Sequence, residues 1–153
     1  MDDRQMTIMP SLIVRGADEA IVYYQRVLGA QLMGDAMRMP GSNTVMHAAL
    51  TIGSSMIFLA DECPEMRSFS PKHYNGTPVS LQVRVPDCDK TYNAALAAGA
   101  QSITPPADMF WGDRWAQVLD PFGHIWGFAT QKEKLTREQI DQRAKEFMAT
   151  AKR

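Results

Sequence analysis

The sequence SLIVR at positions 11–15 returns as SLQVR at positions 80–84, and this repetition decides the fold. A Gly-Ala-Gln triplet at 29–31 returns at 99–101, one residue out of step. Two further pairs keep the spacing of 69 positions, Asp18 with Asp87 and Tyr23 with Tyr92. A period this long does not suit a solenoid, whose units span about 20–50 residues. It indicates two copies of one module fused in a single domain.

Each copy reads as a strand, a helix and three further strands. Apolar residues recur at helical spacing between Asp18 and Gly29, where the glycine ends the helix. Asp87 and Gly99 bound the second helix in the same way, and both aspartates are predicted N-caps. The predicted strands are 7–15, 30–39, 45–52 and 55–60 in the first copy, and 77–85, 101–104, 114–119 and 124–130 in the second.

The length predicts one domain that covers residues 1–153. Its expected parts are module one at about 7–62, a connection at 63–76, module two at about 77–133 and a C-terminal helix at about 136–149. The proline-containing connection is long enough to cover an opening or to reach a partner. Thr136 and Gln139 can form a capping box for the last helix. Its apolar stripe is expected to pack on the body or on a second subunit.

Composition excludes several classes of protein. A net charge of −1 argues against a nucleic-acid partner, which normally binds a basic patch. The absence of a run of 18 apolar residues argues against a membrane span, and residues 1–5 do not resemble a secretory leader. Two cysteines, Cys63 and Cys88, form neither a disulfide framework nor a zinc spacing. The expectation is a cytoplasmic protein with free thiols.

Three further stretches carry a family resemblance: HAAL at 47–50, IFLADE at 57–62 and WGDR at 111–114. With Asp-Pro-Phe-Gly-His at 120–124 and the duplicated module, they resemble the vicinal-oxygen-chelate superfamily (glyoxalase, bleomycin resistance, extradiol dioxygenase), in particular its PhnB-like branch. The resemblance covers about residues 6–133. It implies an α+β fold of two tandem βαβββ modules forming curved mixed sheets around a cleft, plus the C-terminal helix. It also implies a homodimer in which cleft and subunit boundary are linked.

Enzymes of this superfamily hold a divalent metal with a His or Gln on each module's first strand and a Glu on each last strand. The resemblance places these ligands at or beside Ser11 and Ser80, and at Phe58 and Gly127. Serine is a poor ligand, and Phe and Gly side chains carry no donor. If this register is shifted by two residues, the only additional side chain that could act as a ligand is Gln82. We therefore expect no cofactor, with a divalent metal as the alternative.

Histidine is the other candidate for chemistry. His47 opens a predicted strand and could act as an acid or base, because its proton exchanges near neutral pH. A single histidine can equally be part of the hydrogen-bonded structure. His124 is expected to fix the tight turn before it, and His73 to be solvated in the connection.

Aromatic residues predict the lining of the cleft. Trp111, Trp115 and Phe58 would form an apolar wall beside Gly127, and Arg114 would offer a cation for a planar or anionic ligand. A salt-bridged turn is the alternative interpretation of Arg114. Trp126 should alternate to the opposite face and pack under a helix. Eleven methionines suit either an adaptable core or a permissive ligand site.

Three functions remain open. The first is a metal-free protein that sequesters a small aromatic or amphipathic drug or metabolite in the cleft. The second is a metal-dependent lyase, isomerase, dioxygenase or thiol transferase with ligands such as His47 and Glu62. The third is a metal-free acid–base enzyme that uses His47. No nucleophile motif, phosphate loop or dinucleotide fingerprint favours another class of enzyme.

Overall fold

The computed structural model of the chain describes residues 6–151, so the expectation about a leader at 1–5 lies outside the described residues. The helices are α1 (Ala17–Leu28), α2 (Pro71–Tyr74), α3 (Cys88–Ala97) and α4 (Arg137–Thr150), with a 3-10 turn at Pro64–Met66. The first five strands are β1 (Ser11–Val14), β2 (Gln31–Leu32), β3 (Met37–Arg38), β4 (Val45–Ile52) and β5 (Ser55–Asp61). The others are β6 (Ser80–Arg84), β7 (Gln101–Asp108), β8 (Asp113–Leu119) and β9 (Ile125–Gln131).

The strands form one sheet for each module. The first sheet has the order β1-β5-β4-β2, with β3 also paired to β4, and the second has the order β6-β9-β8-β7. In each sheet the first and last strands of the module run parallel and the other pairs run antiparallel. The sheets are therefore mixed, and the predicted α+β fold of two βαβββ modules with a C-terminal helix is confirmed.

The two modules differ in the register of their parallel strands. Ser11 lies opposite Phe58, whereas Gly127 lies opposite Gln82 and not opposite Ser80. The expected correspondence of Ser80 with Ser11 is therefore wrong by two residues. A shift of two keeps every side chain on its own face of the sheet, so the burial pattern in the sequence does not reveal it.

Helices cover one face of each sheet. Leu12 and Leu59 of module one, with Val118 and Phe128 of module two, are buried on this side and form part of one continuous core. Residues that alternate with them lie on the opposite side, which we call the open face. On the open face the strand partners are Ser11, Phe58 and Ala49 in module one, and Gln82, Gly127 and Gln117 in module two.

A buried carboxylate, Asp120, joins the two modules. Its Oδ2 accepts hydrogen bonds from the Tyr24 hydroxyl at 2.6 Å and from Trp126 Nε1 at 3.0 Å. Its Oδ1 accepts from the backbone N–H groups of Phe122 and His124, both at 2.9 Å, and so closes the predicted turn. Burial first, and then the charge of Asp120, raise the pKa of Tyr24 well above its usual value, so its hydroxyl remains a donor.

His124 makes a second link between the modules. Its Nε2 lies 3.0 Å from the backbone carbonyl of Ile13 in β1. The ring thus contacts module one, while the turn that it was expected to fix is held by Asp120. Trp126 is buried against the ring of Tyr24, as its alternation predicts.

The ends of α1 and α3 are capped differently. Asp87 caps α3 by accepting a hydrogen bond from the Lys90 N–H, as expected. The prediction that Asp18 caps α1 is wrong, because its carboxylate pairs with Arg38 on β3. The N–H groups of Gly16, just before α1, and of Ala17, its first residue, instead donate to Oδ1 of Asp61 at the end of β5. The other oxygen of Asp61, Oδ2, accepts from the Val45 N–H.

The C-terminal helix α4 has the predicted capping box between Thr136 and Gln139. None of its described side chains is buried. Phe147 packs against Phe110 at the tip of the β7–β8 hairpin, with 5.5 Å between ring centroids. No helix within residues 6–151 has the length and hydropathy needed to cross a bilayer.

Candidate functional site

The open face of module two contains a cavity of about 290 Å³ walled by two indoles. Trp111 and Trp115 meet edge to face, with centroids 6.2 Å apart and planes at 68°. Each indole N–H is bonded, that of Trp111 to Asp113 Oδ2 at 3.2 Å and that of Trp115 to Gln82 Oε1 at 2.9 Å. The cavity, called the aromatic cavity below, is lined by Gln82, Val83, Arg84, Trp111, Asp113, Trp115 and Ala129.

Gln82 lies directly over Gly127. A Cβ atom at position 127 would overlap the carboxamide of Gln82, so only glycine leaves room for it there. The bond from Trp115 fixes the amide oxygen, while the amide nitrogen has only a 3.4 Å contact with the hydroxyl of Ser80. Sequence analysis singled out Gly127 and Trp115, and the structure brings these two together around Gln82.

The residues at the expected metal positions do not fit a divalent metal. By strand register these positions are Ser11 and Phe58 in module one, and Gln82 and Gly127 in module two. They offer one hydroxyl and one amide, and the amide oxygen already accepts a hydrogen bond from Trp115. Within residues 6–151, no three His, Cys, Asp or Glu side chains come together as a metal-binding group.

Glu62, which was considered as a metal ligand together with His47, has both carboxylate oxygens bonded within the protein. Its Oε1 accepts from the hydroxyl and the backbone N–H of Ser70, at 2.5 and 2.9 Å. Its Oε2 accepts from Arg15 Nε at 3.0 Å. The Ser70 hydroxyl and backbone bonds, together with Arg15, lower the pKa of Glu62 to about 2. One oxygen thus holds the connection, at Ser70, and the other holds Arg15 at the end of β1.

The open face of module one carries His47 and Phe58. Their rings meet edge to face at 4.8 Å, and Met37 of β3 lies opposite His47 in the register. His47 is exposed, as are Met37 and the nearby Met33. Neither His47 nor Phe58 lines the aromatic cavity, so one chain presents two separate groups of predicted site residues.

Arg114 is not brought together with the other predicted site residues. It neighbours Trp115 on β8 and therefore points to the helix-covered side, where it bonds Asp89 at 2.6 and 2.9 Å and Asp108 at 3.1 Å. Asp89 first, and Asp108 second, raise the pKa of Arg114. The cation that lines the aromatic cavity is Arg84, which sequence analysis did not single out. The available signal was its position two residues after Gln82 on β6, which puts both side chains on the same face of the strand.

A larger groove of about 720 Å³ lies between the modules. The β4–β5 hairpin, at 52–57, forms one wall and β6 forms the other, with Leu28 and Trp126 also lining it. Gln82, Val83 and Arg84 line both this groove and the aromatic cavity, so the two spaces lie against the same strand.

Comparisons with known proteins agree with the fold. A protein of Mycobacterium bovis is 36% identical over 137 residues, covering 87% of this chain and 88% of that protein. The PhnB protein of Bacillus cereus is 18% identical with a TM-score of 0.64, over 82% of this chain and 99% of the other. The fosfomycin resistance protein FosX of Listeria monocytogenes is 15% identical with a TM-score of 0.64, over 88% of this chain and 95% of the other.

At these identities the two solved structures establish likeness of fold alone. They confirm the predicted resemblance to the vicinal-oxygen-chelate fold, a PhnB protein included. A family model matches residues 6–128, which is most of the chain. The chain therefore belongs to the Glyoxalase/Bleomycin resistance protein/Dioxygenase superfamily.

Proposed function

We propose that this protein binds a small aromatic or amphipathic molecule at the aromatic cavity without a divalent metal, and so sequesters or carries it. One observation carries the proposal: Gln82 fills the space over Gly127 and is held there by Trp115. Gln82 and Gly127 thus stand where metal enzymes of the family have two ligands, but Gly127 has no donor atom and the amide oxygen of Gln82 is already bonded to Trp115. Aromatic-lined cavities with a few placed polar groups are the usual sites for small molecules.

A thermal-shift screen of aromatic and amphipathic molecules tests the proposal, because a molecule that binds only the folded form raises its melting temperature. The protein is purified without chelator, its metal content is measured, and each hit is titrated calorimetrically with and without EDTA. We expect binding that persists in EDTA. The variant Trp115→Ala should lose it, because both the wall and the partner of Gln82 are removed.

The matched control is Phe69→Ala, which removes an aromatic ring stacked on His73 in the connection. This variant should bind as the wild type does. A transition metal bound at one ion per chain, or binding that disappears with EDTA, would contradict the metal-free proposal and favour a metal-dependent enzyme.

We further propose that the protein forms a homodimer in which the open faces of two copies meet. Met33 and Met37 are 40% and 60% exposed on module one, and a partner would cover this apolar surface. Module one of one copy would then lie opposite module two of the other, bringing His47 and Phe58 near a partner's indoles. Light scattering after gel filtration should give twice the chain mass. A monomer at every micromolar concentration tested would overturn this arrangement.

A second function, acid–base catalysis by His47, is favoured by its position. The imidazole is exposed on the open face and oriented by its contact with Phe58. His47→Ala should then abolish turnover of a molecule found in the screen, while its dissociation constant changes little. Equal turnover in the variant would leave binding as the function.

A further inference from the structure

We infer that the ligand of the aromatic cavity is a one- or two-ring aromatic carboxylate, with its ring against Trp111 and Trp115 and its carboxylate at Arg84. The inference rests on the proposed function and names the chemical class of its ligand. Arg84 lines the cavity from β6, two residues from Gln82, on the side of the strand that faces the indoles.

The guanidinium of Arg84 has N–H donors that are available to a ligand. It is 75% exposed, and the nearest carboxylate oxygen is Asp113 Oδ1 at 3.9 Å, which is too long for a hydrogen bond. Asp113 is only 14% exposed, and its other oxygen accepts from Trp111. A ligand carboxylate can therefore take the planar fork of Arg84, in the two-bond geometry that makes Arg–carboxylate pairs strong.

The same charges disfavour a cationic ligand. Such a ligand would meet the exposed Arg84 first, since Asp113 is only 14% exposed and has one oxygen bonded to Trp111. The other acidic groups near β8, Asp89 and Asp108, lie with Arg114 on the helix-covered side of the sheet. Of the two charged side chains that line the cavity, Arg84 is therefore the exposed one.

The size and shape of the cavity limit the ring system. Its volume of about 290 Å³ is just below that of most ligand sites, which usually enclose about 300–1,000 Å³. The indoles stand at 68° to each other and form a corner. A planar ring can stack on one indole and present its edge to the face of the other, which are the two favoured aromatic geometries. One or two fused rings fill such a corner.

Three probes with the same ring and different charge test the inference: naphthoate, naphthamide and naphthylmethylammonium. Each is titrated calorimetrically into wild type, Arg84→Gln and the control Arg26→Gln, which changes an exposed arginine on α1. We expect naphthoate to bind about fivefold more tightly than naphthamide, as suits an ion pair open to solvent. This advantage should vanish in Arg84→Gln, persist in Arg26→Gln and shrink as salt is added.

The outcomes separate the inference from the proposal beneath it. Equal binding of naphthoate and naphthamide, tighter binding of the ammonium probe, or an advantage retained in Arg84→Gln would overturn the inference and leave small-molecule binding in place. No binding of any probe by the wild type would overturn the inference, and a negative result in the wider screen would then remove the proposed function as well.

Discussion

The open faces of the two modules differ far more than their cores. Module one presents His47, Phe58 and exposed methionines, whereas module two presents two indoles bonded to Gln82 and Asp113. Both faces belong to sheets with the same strand plan. The helix-covered side must keep its apolar residues to fold, but the open side is free to change. On the proposed function, recognition belongs to the open face of module two, and His47 is the candidate acid or base on the open face of module one.

The modules also end differently. Asp61, the last residue of β5, accepts its hydrogen bonds from backbone groups of its own module. Asp120, at the turn before β9, reaches the Tyr24 hydroxyl in the helix of module one. Module one therefore closes on itself, whereas module two is closed by a carboxylate that also holds the modules together.

Replacing Asp120 should have the largest effect on stability. Asp120→Ala leaves the Tyr24 hydroxyl and Trp126 Nε1 buried without their acceptor, and each unpaired group costs about 1–3 kcal/mol. We expect a loss of about 4 kcal/mol in the free energy of unfolding by urea. Asp61→Ala, the matched change in module one, should cost about 1 kcal/mol, as loss of a helix cap does. Equal losses would show that the two carboxylates contribute equally to stability, which would contradict this difference between the modules.

The next largest effect on stability should depend on pH and come from Glu62, for which module two has no acidic counterpart. The folded-state pKa of Glu62 is lowered from 4.5 to about 2, so its contribution is present above about pH 4.5 and is lost as pH falls towards 2. Arg15 is half exposed and screened by solvent, so we expect about 1–2 kcal/mol. Module two has the neutral Gln131 at the repeated position.

Glu62→Gln should therefore be less stable than wild type at pH 7 and equally stable near pH 2. Urea unfolding across this range measures the convergence, with the exposed Glu65→Gln as control. A constant difference between wild type and Glu62→Gln at every pH would show that the carboxylate charge is not the cause.

Much of the fold follows from the sequence because the repeat and the alternation of apolar residues are local signals. Trp126 was placed correctly by that alternation, on the face opposite Gly127 and under a helix. The contact of Gln82 with Gly127 was hidden, because it depends on a two-residue shift that leaves the burial pattern unchanged. The capping of α1 by Asp61 was hidden too, since the partners are over forty residues apart and local spacing favoured Asp18.

The face of module two can be tested by filling the space over Gly127. In Gly127→Ala the new Cβ must displace the Gln82 carboxamide, which is the end of a flexible side chain and can move. We expect a loss of about 1 kcal/mol, the worth of the bond to Trp115, and a change in tryptophan fluorescence. The same displacement of Gln82 should weaken the binding of naphthoate. Ala49→Ser, a small change on the open face of module one, should leave fluorescence and binding unchanged.

The smallest expected effect concerns α4, which contacts module two through Phe110 at the hairpin tip. Phe147 is 55% exposed, so Phe147→Ala removes little buried area along with one aromatic contact, and should cost about 0.5 kcal/mol. Because Phe110 also packs on Trp111 at 5.0 Å, the change should still alter tryptophan fluorescence. Met148→Ala, at a neighbouring position that is 63% exposed, should change neither the stability nor the tryptophan fluorescence. An effect of Phe147→Ala on the ring resonances of His47 or Phe58 in NMR spectra would contradict the assignment of α4 to module two and imply that the helix crosses to a second copy.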